Sequence, residues 1–271
     1  MIINHNLNAM NAHRNLLSNN IAQGKSSEKL ASGYKVNRAA DDAAGLSISE
    51  KMRTQIRALN QAQSNAQDGI SLVQTAEGAM SEISDMLSRM KELAVKATNG
   101  TYNASDLVAI DAEFKALSTA IDSIAKSTTF NGITVLNGNA GISIQIGDTT
   151  SVQNTVVISL QNVQLSSLSI SGQSLGSAVG ASNAIKAIDT DIGTINRVRS
   201  AFGAVQNQLE HTFNNIGATA ENLQGAESRI RDTDMAKEMM NYTKLNILQS
   251  AATSMLAQAN QAPQSVLQLL R

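Results

Sequence analysis

Apolar residues recur along most of this chain at alternating steps of three and four, the spacing of a stripe on one face of an α-helix. The longest such stretch runs from Asp42 to Asn99. From Met52 its stripe takes Ile56, Leu59, Gln63, Ala66, Ile70 and Val73. After a shift of three at Ala76 it resumes as Met80, Ile83, Leu87, Met90, Ala94 and Ala97. No proline interrupts it, and Gly45, Gly69 and Gly78 are weak breakers. At 1.5 Å per residue the helix would be on the order of 85 Å long. With one apolar face, it needs partner helices along its whole length.

The same spacing marks the other segments. Leu7, Met10, Leu17 and Ile21, with Arg14 in the gap, predict an amphipathic helix over about residues 5–31. Ser32 to Arg38 breaks it, with Gly33 suited to a C-cap. Asp41 and Asp42 stand at the entrance of the long helix, where carboxylates cap free N–H groups; this is preferred to a catalytic carboxylate pair. Asn99-Gly100 ends that helix, and Ser105 is the expected cap of the next. There Leu107, Ile110, Phe114, Leu117, Ile121 and Ile124 predict a helix folding back antiparallel.

Near Thr128 the period changes from helical to alternating. Asn131-Gly132 and Asn137-Gly138 are hairpin-turn dipeptides, and Ile142, Ile144 and Ile146 alternate with Ser143 and Gln145. Val156-Val157-Ile158 and Val163 to Ile170 complete a small β region over roughly 130–175. Ser166–Ser182 reads as an exposed loop zone. The helical period returns at Ala184, through Ile185, Ile188, Ile192 and Ile195, then Val198, Phe202, Val205, Leu209, Ile216, Leu223 and Ile230. Beyond Asp232-Thr233-Asp234 a last helix carries Met235, Met239, Tyr242, Leu245, Leu248, Ala252, Met255 and Ala259, and residues 262–271 are apolar again.

The expected fold is mainly α: long antiparallel helices forming a coiled-coil trunk, with a small β-hairpin region in the middle. Residues 1–41 with 232–271 should make a terminal coiled-coil domain, and 42–231 the trunk, with hairpins at about 130–175. The chain ends should meet as a helix pair. Their seams have too few partners within one chain, which argues for a polymer that buries the terminal helices between subunits. The polymerisation seams are Leu7, Met10, Leu17, Ile21, Leu245, Leu248 and Met255.

Composition supports this picture. The 271 residues include no Trp, no Cys, one Pro, three Tyr and four Phe, too few large aromatics for a globule and suited to a coiled-coil seam. A net charge of −1 without a basic stripe argues against nucleic acid. No apolar run approaches the roughly 18 residues of a membrane span, so no membrane role is expected. The N-terminal residues do not form a signal peptide, so export would proceed without a cleaved one.

Enzyme chemistry finds no foothold. His5, His13 and His211 have no ligand spacing with carboxylates, and the HExxH zinc motif is missing. There is no phosphate-cradling glycine loop and no nucleophile elbow. Asp189-x-Asp191 and Asp232-x-Asp234 lack the rest of a calcium loop and read as helix entries or solvated turns. The ten Met fill uneven gaps between helices rather than form a cofactor box. No catalytic, cofactor-binding or metal-ligating residue is expected.

Particular runs carry a resemblance. SGYKVNRAADDAAGLSISEKMR (Ser32 to Arg53), SNAQDGISLVQTAEGAMSEISDMLSRMKELAVKATNGT (Ser64 to Thr101) and TTFNGITVLNG (Thr128 to Gly138) are similar to bacterial flagellins. So are ENLQGAESRIRDTDMAKEM (Glu221 to Met239) and ANQAPQSVLQLLR (Ala259 to Arg271). The resemblance covers about 1–138 and 183–271. It implies a secreted subunit of the flagellar filament, with paired terminal helices lining the lumen, long helices around them, and here no large outer variable domain. It further implies self-association, export with a chaperone on the C-terminal helix, and assembly alongside filament cap and junction proteins.

The segment Leu87 to Val95 also resembles the motif through which a Toll-like receptor senses some flagellins. Arg89 and Leu93 take its basic and apolar positions, on one helix face, with Glu113 as the acidic partner. Two rival readings are a hook–filament junction protein and a ligand whose main role is receptor binding. The ANQAPQSVLQLLR, DDAAG and TTFNG runs favour the filament subunit over the first, and the short middle region disfavours an adhesin-like ligand.

Overall fold

A computed structural model describes residues 5–138 and 141–269, with side chains through Gln261. Five α-helices dominate: α1 (Leu7–Ser32), α2 (Ala43–Ala97), α3 (Ala104–Ser127), α4 (Ala178–Arg231) and α5 (Met235–Leu269). Between α3 and α4 lie four short strands, β1 (Thr129–Phe130), β2 (Ile133–Thr134), β3 (Ile142–Gln145) and β4 (Thr155–Ile158). The apolar run expected over 262–271 lies outside the described side chains, although the α5 backbone continues to Leu269. The chain divides into two compact units, 1–54 with 222–271, and 55–221.

Helix ends follow local chemistry, with two departures from expectation. Gly33 ends α1 in the left-handed region (φ 75°), as its C-cap role requires, and its N–H reaches the Lys29 carbonyl at 2.9 Å. Asp42 alone caps the long helix, accepting the Gly45 N–H at 2.9 Å. Asp41 instead closes the preceding turn, accepting the N–H groups of Asn37 and Arg38 at 3.2 and 3.0 Å. These backbone bonds, the Arg38 one foremost, hold its carboxyl below the ordinary aspartate value against the opposing cost of desolvation. The cap of α3 is Asn103, not Ser105. Its side chain accepts the Asp106 N–H while the Asp106 carboxylate accepts the Asn103 N–H, a capping box. Ser105 donates to the Asn103 side chain at 2.6 Å.

In the unit 55–221 the predicted stripes meet in one core. Val73, Ala76, Met80, Ile83, Leu87, Met90, Ala94 and Ala97 of α2 are fully or almost fully buried. They pack with Ile110, Phe114 and Ile121 of α3 and with Ile188, Ile195, Val198 and Phe202 of α4. Ion pairs fix direction: Lys91 meets Asp189 and Glu77 meets Arg199, so α2 and α4 run antiparallel. Gly69 lets α4 and β3 come close: a Cβ there would lie 3.2 Å from Leu209 and 3.3 Å from Ile144.

The middle region departs further from expectation. Asn131-Gly132 makes the predicted two-residue hairpin, both residues at positive φ (47° and 79°), joining β1 to β2 in antiparallel register. Asn137-Gly138 does not. Asn137 instead forms an isolated antiparallel bridge with Asn162, next to the bond from the Val163 N–H to the Leu136 carbonyl. β3 pairs with β4, Ile142 opposite Ile158 and Gln145 opposite Thr155.

Ser166–Ser182 is irregular up to Ala178 and mostly exposed, as its polar composition predicts, but it is anchored to the core. Leu168, Ile170 and Leu175 are buried in the common core, and α4 begins at Ala178 rather than near Ala184. The irregular backbone is sustained by aspartates on neighbouring helices. Asp191, only 2% exposed, accepts the N–H groups of Ser169 and Ile170 at 2.8 and 3.0 Å. Asp111 accepts from Leu175 N–H at 2.6 Å and from the Ser174 hydroxyl at 3.0 Å, and Asp122 accepts from Leu165 N–H at 3.3 Å. Asp189 and Asp191 are therefore neither helix entries nor solvated turns. One pairs with Lys91, and the other is a buried acceptor for backbone that has no ladder of its own.

Candidate assembly surface

In the unit 1–54 with 222–271, α1 and α5 lie side by side as a pair. Asn6 donates its side-chain amide to the Ala259 carbonyl at 2.7 Å, Gln249 donates to Asn20 at 2.7 Å, and Ser26 donates to Glu238 at 2.5 Å. Rising numbers on α1 thus meet falling numbers on α5, and the helices are antiparallel. Where they end, the chain is stitched together by backbone: Lys35 N–H reaches Arg231 O at 2.7 Å, and Thr233 N–H reaches Gly33 O at 2.9 Å. Arg231 stacks over the Tyr34 ring and donates to Glu50, while the buried Ser49 donates to Glu227. Asp234 caps α5, accepting the N–H groups of Ala236 and Lys237.

The faces of α1 and α5 are not used as their largest side chains suggest. The partly covered residues of α1 are Ala9, Ala12, Leu16, Asn19, Ala22 and Gln23, then Glu28, Lys29 and Leu30 beyond the buried Ser26. On α5 they are Glu238, Tyr242, Leu245, Gln249, Ala252, Leu256 and Ala259, spaced by fours and threes. Small residues of α1, chiefly alanines, thus face a mixed stripe of α5 that includes Tyr242, Leu245 and Leu256. The predicted seam residues of α1 point elsewhere: Leu7 is 65% exposed and Met10 64%, with Leu17 and Ile21 also exposed. Of the predicted α5 seam, Leu245 is half-buried, while Leu248 and Met255 are exposed with Met239, Met240 and Ile247. The pair thus carries a second, uncovered apolar stripe built of Leu, Ile and Met. Small hydrophobics scattered singly need no explanation, but aligned Leu, Ile and Met over several turns are costly to leave in water.

The three receptor-like residues separate. Arg89 on α2 forms a surface ion pair with Glu113 on α3 at 2.9 Å, and a second with Glu92 at 2.9 Å. These bonds, that to Glu113 foremost, hold the guanidinium pKa above its ordinary value. Leu93 does not share that face. It is 2% exposed and belongs to the core beside Met90 and Ala94, so it offers no contact surface in the folded chain. The shift of the stripe at Ala76 had already moved position 93 inward, a consequence that motif matching alone does not register.

No other chemistry converges. Among the described residues no cluster of three His, Cys, Asp or Glu could hold a metal ion, and no helix is long and apolar enough to cross a membrane.

Two family models match the chain: the bacterial flagellin N-terminal helical region over residues 3–141, and the bacterial flagellin C-terminal helical region over 185–270. A flagellin of Halalkalibacterium halodurans is 50% identical over 275 residues, covering all of both chains. A flagellin of Bacillus subtilis is 45% identical over 304 residues, again covering all of both. The crystal structure of Bacillus cereus flagellin is similar at a TM-score of 0.51 and 34% identity, covering 60% of this chain and 94% of that one.

Proposed function

Because the chain belongs to the bacterial flagellin family, we propose that it is the structural subunit of a flagellar filament, polymerising through the outward stripes of α1 and α5. The observation that carries this is the division of labour on α1. The face that carries Ala12 and Leu16 is spent on α5, and Leu7, Met10, Leu17 and Ile21 remain for a neighbouring subunit, joined by Leu248 and Met255 of α5. Covering that stripe at about 25 cal/mol per Å² drives assembly. A polymer repeats the contact along its length, so a modest gain per subunit suffices.

The test is seeded polymerisation followed by electron microscopy. The full chain should grow long uniform tubes, whereas chains lacking 1–31 or 240–271 should stay soluble and retain the helical trunk. Filaments formed by either truncation would overturn the assignment of the stripes.

Finer parts of the reading rest on the family resemblance. Export is by the flagellar route without a cleaved signal, so secreted protein should retain its N-terminal residues on sequencing. Before assembly the exposed apolar side of α5 is where an export chaperone would bind, and cap and junction proteins would meet the same terminal helices. A Toll-like receptor would meet the exposed Arg89–Glu113 pair, with Leu93 supporting the helix from within; receptor signalling lost in Arg89→Ala protein of unchanged stability is the outcome expected.

A further inference from the structure

We propose that Asn99 is a site of spontaneous deamidation to isoaspartate, and that the fold protects the other two Asn-Gly pairs. The chain has three such dipeptides, Asn99-Gly100, Asn131-Gly132 and Asn137-Gly138. Glycine has no side chain to shield its backbone nitrogen, so by local sequence all three are equally prone to cyclise. In the reaction the Gly nitrogen attacks Cγ of the asparagine. An N–Cγ bond forms, the Cγ–Nδ2 bond breaks, and Nδ2 leaves as ammonia with the proton of the Gly amide. Water then opens the resulting succinimide. Cleavage at the main-chain carbonyl leaves isoaspartate, and cleavage at the side-chain carbonyl leaves aspartate. Ring closure needs the glycine nitrogen unengaged and free to swing behind the asparagine side chain.

Tertiary structure grants that freedom at one site. Asn99 and Gly100 are exposed in the turn joining α2 to α3, beyond the last helical bonds from Thr98 N–H to Ala94 O and from Asn99 N–H to Lys96 O. Among the described residues, neither the Asn99 side chain nor the Gly100 N–H makes a hydrogen bond, and nothing lies within 4 Å of a Cβ built on Gly100. At Asn131 the backbone is fixed at φ 47° inside a two-residue turn, and turning it toward closure breaks the pairing of Phe130 with Ile133. At Asn137 the chain is bridged to Asn162, buried Leu136 precedes it, and a Cβ on Gly138 would lie 2.6 Å from the Asn162 Cβ. The same dipeptide is thus open once and locked twice.

The product is tolerated where it forms. The added backbone methylene falls in a link that carries no ladder, and the core residue Ala97 lies two positions before it. The new carboxylate is exposed and lies three residues from Lys96, whose ammonium sits 5.4 Å from the Tyr102 ring and offsets the unfavourable negative end of the α2 dipole. Modified chains therefore remain folded and accumulate.

The test is peptide mapping of the full chain after prolonged incubation in mildly alkaline buffer, with a matched sample in denaturant. In denaturant all three asparagines should convert at similar rates. In the folded chain Asn99 should convert as in denaturant, while Asn131 and Asn137 slow by several-fold or more. Asn99→Gln should remove most of the isoaspartate formed by the folded protein. Conversion at Asn131 or Asn137 as fast as at Asn99 in the folded chain, or protection of Asn99 itself, would overturn the proposal.

Discussion

The carboxylate of Asp191 accepts the N–H of Ile170 at 3.0 Å inside the core, joining residues 21 positions apart. Its other oxygen takes the Ser169 N–H at 2.8 Å, so one buried side chain satisfies two backbone donors in a segment without regular structure. Removing it strands the buried Ile170 N–H and leaves the part-buried Ser169 N–H without its acceptor. Asp191→Ala should lower unfolding stability by about 2–4 kcal/mol, read from denaturant midpoints by circular dichroism. Asp191→Asn, which keeps a single acceptor oxygen, should fall between the two. A midpoint unchanged in Asp191→Ala would mean that water reaches these amides.

Asp111 and Asp122 make the same segment sensitive to acid. For Asp111, burial raises the pKa, but the bonds from Lys115, Leu175 N–H and Ser174 together outweigh it and hold the value below the ordinary one. For Asp122 the Lys126 bond leads, opposed by burial and aided by Leu165 N–H, and the net shift is again downward. A carboxyl whose folded pKa lies below its unfolded pKa stabilises the fold above the unfolded value, and that contribution is lost as pH falls through the folded one. Stability of the full chain should therefore be flat near neutrality and decline below the ordinary aspartate range. The double variant Asp111→Asn, Asp122→Asn should be less stable at neutral pH and show a shallower decline.

Leu16 and Leu17 are adjacent in sequence and serve different faces of α1. Leu17→Asp and Leu248→Asp place charge on the uncovered stripe, so the monomer should keep its thermal midpoint and fail to polymerise. Leu16→Asp sits against α5 and should loosen the α1–α5 pair in the monomer as well, seen as lost helicity. Sedimentation of seeded samples with circular dichroism of the soluble fraction separates the two effects. Filaments from Leu17→Asp protein would show that the stripe is not the contact.

Arg89 and Leu93 should likewise part in their effects. Leu93→Ala removes a fully buried side chain and should cost about 2–5 kcal/mol in unfolding stability. Arg89→Ala breaks only exposed pairs and should leave the midpoint in place. Equal destabilisation by both would contradict the burial difference.

The periodicity of apolar residues by itself determined the helices, their approximate ends and the trunk core, because each helix there has one dominant stripe and one place to bury it. Met80, Ile83, Leu87, Phe114 and Ile121 are buried where the spacing put them. The Asn131-Gly132 hairpin was equally local, since positive φ at both turn residues is a property of those two residues. What only tertiary structure decided depends on distant partners. A helix such as α1 has two candidate stripes, and whether Ala12 and Leu16 or Met10 and Leu17 face α5 is set by the residues α5 presents opposite them, which spacing along α1 does not encode. The anchoring of the Ser-rich segment before α4 was not legible because its partners, Asp111, Asp122 and Asp191, lie on helices that composition cannot bring together. Asp191 is polar by type and buried by role, because backbone amides elsewhere in the chain needed an acceptor that water could not supply.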